Sequence, residues 1–196
     1  MALPSAKIQN ADEIIILHDP NGTAASCRNQ AIEKAGGEFI ICVDADDELE
    51  PGYVEAMMRS QGDLRYPSVL MIPGEGFPIV LPRKHLLLGN YMVIGTGFRK
   101  SLWEQVGGFT EHETWEDWFL FMQMTYVGAV PVLCKDAVYR VHKHAGSRVS
   151  VPDPMKTFLH MKEEFRQWAR KYNGGQTMDN EYRKFIVDNL PPEGMR

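Results

Sequence analysis

An apolar run that stops on acids constrains this chain most: Phe39-Ile40-Ile41-Cys42-Val43, then Asp44-Ala45-Asp46-Asp47-Glu48. An unbroken stretch of Phe, Ile and Val predicts a strand buried on both faces. Strands of that kind belong to α/β sheets, whose ligands bind beyond the carboxyl ends of the strands. Here carboxylates stand at that end. Asp44 and Asp46 are two residues apart, so in extended chain they point the same way. Two hard oxygen ligands side by side suit Mg2+ or Mn2+ bridging to a diphosphate. The same acids also suit a solvated turn before a helix. The tetrad alone does not choose between the two.

The residues before it predict a strand–helix–strand unit. Glu13-Ile14-Ile15-Ile16-Leu17 reads as a short buried strand, and Asp19-Pro20-Asn21-Gly22 as a turn. Residues 23–35 keep Ala24, Cys27, Ala31 and Ala35 on one helical face until Gly36-Gly37 stops the pattern. Such a crossover makes a parallel sheet. Downstream, Pro51 opens a helix to about residue 59, and residues 68–72 form a strand. Residues 73–83, rich in Pro and Gly, read as a loop over a site. Residues 91–94 and 96–98 are short strand pieces around Gly95. Residues 100–106 and 116–126 are helices, and 130–133 and 138–142 strands. A long helix follows Asp153-Pro154, with Phe158, Met161, Phe165, Trp168 and Tyr172 as a packing stripe. A second short helix is expected over residues 180–190.

Composition narrows the function classes. The chain has 196 residues, 44% of them hydrophobic, enough for one domain with a small appendage. A net charge of -5 with no basic run argues against a nucleic-acid partner. Cys27, Cys42 and Cys134 lack metal-site spacing and read as reduced thiols of a cytoplasmic protein. The N-terminus does not read as a signal peptide. No stretch approaches the roughly 18 apolar residues of a membrane span; an amphipathic helix could still rest on a membrane surface.

Several segments, in order, resemble family 2 glycosyltransferases of the GT-A fold. Asn21-Gly22-Thr23-Ala24-Ala25-Ser26-Cys27-Arg28-Asn29-Gln30-Ala31-Ile32 is similar to their "N-G-x-x-x-A-R-N-x-G-I" segment. Ala35-Gly36-Gly37-Glu38-Phe39-Ile40 resembles "A-x-G-E-Y-I", and Asp44-Ala45-Asp46-Asp47 resembles "D-x-D-D". Gly107-Gly108-Phe109-Thr110-Glu111 looks like "G-G-F-x-E", and Trp115-Glu116-Asp117-Trp118 the "E-D" helix start. Tyr139-Arg140-Val141-His142-Lys143-His144-Ala145-Gly146-Ser147 resembles the closing "Y-R-x-H-x-x-S" strand. Together the pieces cover residues 12–150.

The resemblance implies an α/β, GT-A-like (Rossmann-like) fold with a mostly parallel central sheet flanked by helices. Residues 1–150 would form the glycosyltransferase domain, and 151–196 a C-terminal helical extension packed on it. It also implies a metal-dependent transfer, with inversion, from a nucleotide-diphosphate sugar to an acceptor hydroxyl, the donor being a UDP-sugar. Arg28, Asp44, Asp46, Asp47 and Asp19 would bind that donor. Asp46, with His142 or His144, would hold Mn2+ or Mg2+. Asp117, with Glu116 beside it, would be the catalytic base. Gly95-Thr96-Gly97 would lie where the acceptor, a glycan, lipid-linked sugar or protein, approaches.

The front departs from the family. Members begin with a strand, a helix and a second strand before the Asn-Gly segment, whereas about twenty residues precede Asn21 here. The nucleotide-binding half is therefore expected to be shortened, with Asp19 standing in for the base-reading acid. A partner chain or a second copy could complete the donor site. The alternatives are a non-catalytic sugar- or nucleotide-binding module on the same fold, or another metal-dependent phosphate enzyme. A phosphatase of the haloacid dehalogenase type is disfavoured by Glu48, which stands where that family has Thr or Val.

Overall fold

A computed structural model describes residues 2–74, 76–77, 86, 89–111, 115–143 and 153–172. The elements run α1 (Ala2–Lys7), α2 (Ala24–Lys34), β1 (Phe39–Ile41), β2 (Glu48–Leu49), α3 (Tyr53–Arg59) and β3 (Leu64–Ile72). They continue β4 (Gly76–Phe77), β5 (Gly97–Arg99), α4 (Lys100–Val106), α5 (Glu116–Tyr126), β6 (Pro131–His142) and α6 (Pro154–Lys171). The helix expected over residues 180–190 and most of the loop 73–83 lie outside the described residues.

Local chemistry sets several boundaries. Thr23 is extended (φ -78°, ψ 165°), and its hydroxyl accepts the Ser26 N–H at 3.0 Å, capping α2. Gly107 ends α4 in the left-handed region (φ 89°), as the Gly107-Gly108 pair predicts. Asp153 caps α6 by accepting the Lys156 N–H at 3.0 Å. The short α1 was not legible as a helix in the sequence. Hydrogen bonds seat it on β2: Leu49 N–H donates to Ser5 Oγ at 3.2 Å, and Gln9 Nε2 to Glu50 O at 3.0 Å.

The sheet has six strands in the order β1-β5-β3-β6-β2, with β4 on β3. Of these pairings β3–β6 is parallel and the others are antiparallel. The α/β layering matches expectation, but the sheet is mixed rather than mostly parallel. The reason lies in residues 13–17. They have a strand's composition yet join no ladder in the described structure, and Ile14 and Ile16 stay exposed. A strand exists only where its N–H and C=O groups find partners; β1 is bonded to β5 and not to this run. Residues 91–94 likewise form no strand.

The two strands expected at 130–133 and 138–142 are one. β6 pairs with β3 from Leu64↔Pro131 to Ile72↔His142, with a register shift between Pro67 and Ser68. Pro67 has no N–H to offer the ladder, so the partner strand bulges there. Ser68 Oγ then donates to Lys135 O at 2.9 Å.

The core centres on α5, which is buried all round from Trp118 to Tyr126. Each such apolar side chain stabilises the fold by about 1.5–3 kcal/mol. The aromatic stripe of α6 lies on it. Phe158 stacks on Trp118 (5.4 Å), and Phe165 meets Phe119 (6.0 Å) and Tyr126 (5.8 Å) edge-on. Among the described residues no helix is long and apolar enough to cross a membrane.

Candidate active site

β1 ends beneath the acidic segment. The chain does not continue extended there: Asp47 N–H donates to Asp44 O at 3.1 Å, closing a tight turn. The turn, rather than strand alternation, brings the carboxylates together. Ligand oxygens of Asp44, Asp46 and Asp47 all lie within 4.8 Å of one another. Three hard oxygen donors at that spacing fit a hard divalent cation such as Mg2+ or Mn2+.

The three are not equivalent. Asp46 is exposed and Asp44 partly so, while Asp47 is buried. Asp47 Oδ1 accepts the His142 N–H at 3.0 Å, and its carboxylate also takes a hydrogen bond from the Tyr139 hydroxyl. Burial pushes the Asp47 carboxyl above its ordinary value, and these two donors oppose the push.

Arg28 comes up from α2 beneath the turn. One guanidinium nitrogen meets Asp44 Oδ1 at 2.6 Å and another meets Glu116 Oε1 at 2.5 Å. Its side chain is 12% exposed and lies over the Phe109 ring at 5.4 Å. Burial disfavours the guanidinium charge, but Asp44 and Glu116 together hold it firmly protonated. Arg28 thus links two acidic segments, rather than offering a free arm to a nucleotide. Beside it, burial pushes the Cys42 thiol up to about 11.

The second segment opens α5. Trp115 precedes it in the left-handed region (φ 64°, ψ 26°) and makes no side-chain cap, an unusual conformation for a bulky residue. Glu116 is buried against Arg28. Asp117 is half-buried, and its Oδ1 accepts the Trp118 N–H at 2.7 Å. Burial, then the neighbouring Glu116, push its carboxyl up to about 6; Arg28 opposes them. A helix start favours the charged form, and here burial outweighs it.

The other candidates fall elsewhere. The His142 ring lies against Glu48, Nε2 to Oε2 3.3 Å, and is not among the clustered ligand atoms. His144 lies outside the described residues. Asp19 binds locally, its Oδ1 accepting the Asn21 N–H at 3.0 Å. Gly95 and Gly97 are glycines because rings press on them. A Cβ at Gly95 would stand 2.2 Å from Tyr139 Cδ2, and one at Gly97 2.4 Å from Phe39 Cε1.

Sequence reasoning gave no role to two residues that build this site. Asn29 Oδ1 accepts from Phe109 N–H (2.8 Å) and Trp103 Nε1 (3.1 Å), and its Nδ2 donates to Phe109 O (2.9 Å). It staples α2, and so Arg28, to the Gly107-Gly108 turn. Tyr139, wholly buried, sits under the acidic turn. The signal for each was its place in a motif, Asn29 beside Arg28 and Tyr139 three residues before His142.

Comparison with known proteins fits this geometry. The model of the family described as "Glycosyl transferase family 2" matches residues 5–121. EpsH of Bacillus subtilis (strain 168), which bears a glycosyltransferase name, is 45% identical over 58 residues, covering 30% of this chain and 16% of EpsH. WcaA of Escherichia coli (strain K12), named for a glycosyl transferase of colanic acid biosynthesis, is 25% identical over 190 residues, covering 83% of this chain and 66% of WcaA. The chain therefore spans less than two thirds of these relatives. Among solved structures, S. aureus TarS 1-349 superposes with a TM-score of 0.60 at 15% identity, covering 85% of this chain and 50% of TarS. TarS has also been solved with UDP. GalNAc-T7, solved with UDP, GalNAc and Mn2+, gives 0.50 at 14% identity, covering 84% and 40%. The expected GT-A-like fold is the one shared with these structures.

Proposed function

The chain belongs to glycosyl transferase family 2, and from that premise we propose that it moves a sugar from a nucleotide-diphosphate donor to an acceptor hydroxyl. One observation carries the reading. Arg28 bonds Asp44 and Glu116 at once, so the acidic turn stands beside the start of α5, where burial pushes the Asp117 carboxyl up to about 6.

Asp44 and Asp46 would hold Mn2+ or Mg2+ and the donor's ribose and diphosphate. When bound, the cation offsets the charge that builds on the departing diphosphate. Asp117 takes the proton of the acceptor hydroxyl as that oxygen bonds to the anomeric carbon. The bond from that carbon to the diphosphate oxygen breaks, its electron pair leaving with the nucleotide. A single displacement with one base inverts the anomeric centre. Asp117 suits the task because a base poised near the working pH transfers protons best. Glu116, held by Arg28, fixes the start of α5 and so the place of Asp117. A UDP-sugar is the proposed donor, by analogy with the UDP bound in TarS and GalNAc-T7. A reducing, cytoplasmic setting suits three free cysteines.

Turnover of UDP-, GDP- and dTDP-sugars, with and without Mn2+ and acceptor, tests the reading. We expect Mn2+-dependent donor hydrolysis or transfer with at least one UDP-sugar. Donor binding without turnover under every condition would instead favour a non-catalytic module on the same fold.

A further inference from the structure

Tyr139 stands at 0% exposure on β6, opposite Leu49 on one side and Val69 on the other. A buried phenol without partners is costly, by about 1–3 kcal/mol. This one is satisfied by the acidic turn. Its oxygen accepts the Asp44 N–H at 3.3 Å, and its O–H donates to the Asp47 carboxylate. It therefore grips the turn at both ends. The His142 N–H adds a second donor to Asp47, from the last residue of the same strand.

The phenol itself cannot swing. Gly95 lies flush against its ring, with no room for a Cβ. Tyr53 packs edge-on at 6.3 Å and ties Gly95 in place, its hydroxyl donating to Gly95 O at 2.7 Å. A rigid wall thus runs from α3 through Gly95 to β6 and ends on Asp47.

We propose that Tyr139 is a positioning residue: with the His142 N–H it holds Asp47 as the anchor of the turn, and leaves cation and diphosphate to Asp44 and Asp46. Asp47 is buried facing the strand and accepts from two protein donors, whereas Asp46 is exposed. Groups that orient ligands without touching the metal commonly govern its affinity. The assignment of Asp44 and Asp46 rests on the function proposed above; the grip on the turn does not.

Two measurements test it. The first is amide hydrogen exchange of the metal-free protein, wild type against Tyr139→Phe. Losing both hydroxyl bonds should speed exchange across residues 44–48 about tenfold or more, with α4 unchanged. The second is Mn2+ titration followed by electron paramagnetic resonance. Tyr139→Phe should weaken Mn2+ about tenfold. Asp47→Asn should weaken Mn2+ only by the loss of one nearby charge, about ten- to thirtyfold, and still bind it, since the amide oxygen can still accept the His142 N–H. Asp46→Asn should lose Mn2+ binding. Unchanged exchange in Tyr139→Phe would overturn the grip. Asp47→Asn losing Mn2+ as fully as Asp46→Asn would overturn the anchor and make Asp47 a ligand. Should Tyr139→Phe fail to fold, that Asp47→Asn comparison decides. A wild-type protein blind to Mn2+ refutes the metal reading, and the exchange comparison still judges the grip.

Discussion

The chain carries two acidic segments, and the structure treats them in opposite ways. At the turn, Asp46 is exposed, and Asp44 keeps a third of its side chain open beside a guanidinium. At the head of α5, Glu116 is buried and claims the other arm of that guanidinium. Asp117 is then left with burial and a negative neighbour, and its carboxyl rises to about 6. Surroundings alone thus raise the Asp117 carboxyl toward the range that the proposed base requires. Arg28 makes the difference by bonding Glu116 and not Asp117.

The largest expected effect breaks the comparison at its base. Asp117→Asn should cut transfer by about 10²–10⁴-fold while UDP binding stays near wild type; product formation and ligand titration check the two halves. Transfer near wild type would remove Asp117 from the role. Next comes the link. Arg28→Ala strands a buried Glu116, and urea unfolding should show a loss of about 3–5 kcal/mol, the cost of breaking a buried pair. A loss below about 1 kcal/mol would mean that the pair acts like a surface ion pair and couples nothing.

A smaller effect sharpens the contrast through pH. As the proposed base, Asp117 must be deprotonated to act, so kcat/KM should rise with pH through about 6 and level off above it. A flat profile from pH 5 to 7 would point to another base. The smallest effect is on stability and has the opposite sign. A carboxyl whose folded pKa is raised contributes stability below its unfolded value of about 3.9, and loses that contribution as pH rises through the folded value. Asp117→Asn should therefore stabilise the fold at pH 8 by roughly 1–3 kcal/mol, the lower end reflecting its partial access to solvent. The gain should vanish near pH 4, and thermal melts at both values measure it.

Much of this was legible beforehand, and for identifiable reasons. α4 and α5 were expected where they lie because glycine signals and helical periodicity act within a few residues. Asp153 was readable as a cap by the same locality, whereas Thr23, counted within the helical stretch, turned out to cap it. Residues 13–17 misled because composition reports a preference for extended chain and says nothing of a bonding partner. The bulge at Pro67 was hidden because it involves residues on two distant strands. At the site, the acids were legible as acids, and Asp46 was singled out for the cation, whereas the burial of Asp47 against the strand was not legible until the chain was folded.

The sequence by itself determined most of the longer helices, the acidic segments and the family. These depend on residue type and short-range spacing, which the chain carries in one dimension. Tertiary structure alone decided that Arg28 joins Asp44 to Glu116, a residue 88 positions away. It also decided that β6 runs parallel to β3 and sets Tyr139 beneath the turn. Such pairings arise from which surfaces pack and which backbone groups must be satisfied. That is why the proton affinity of Asp117, the property its proposed role as base needs, appears only once the chain is folded.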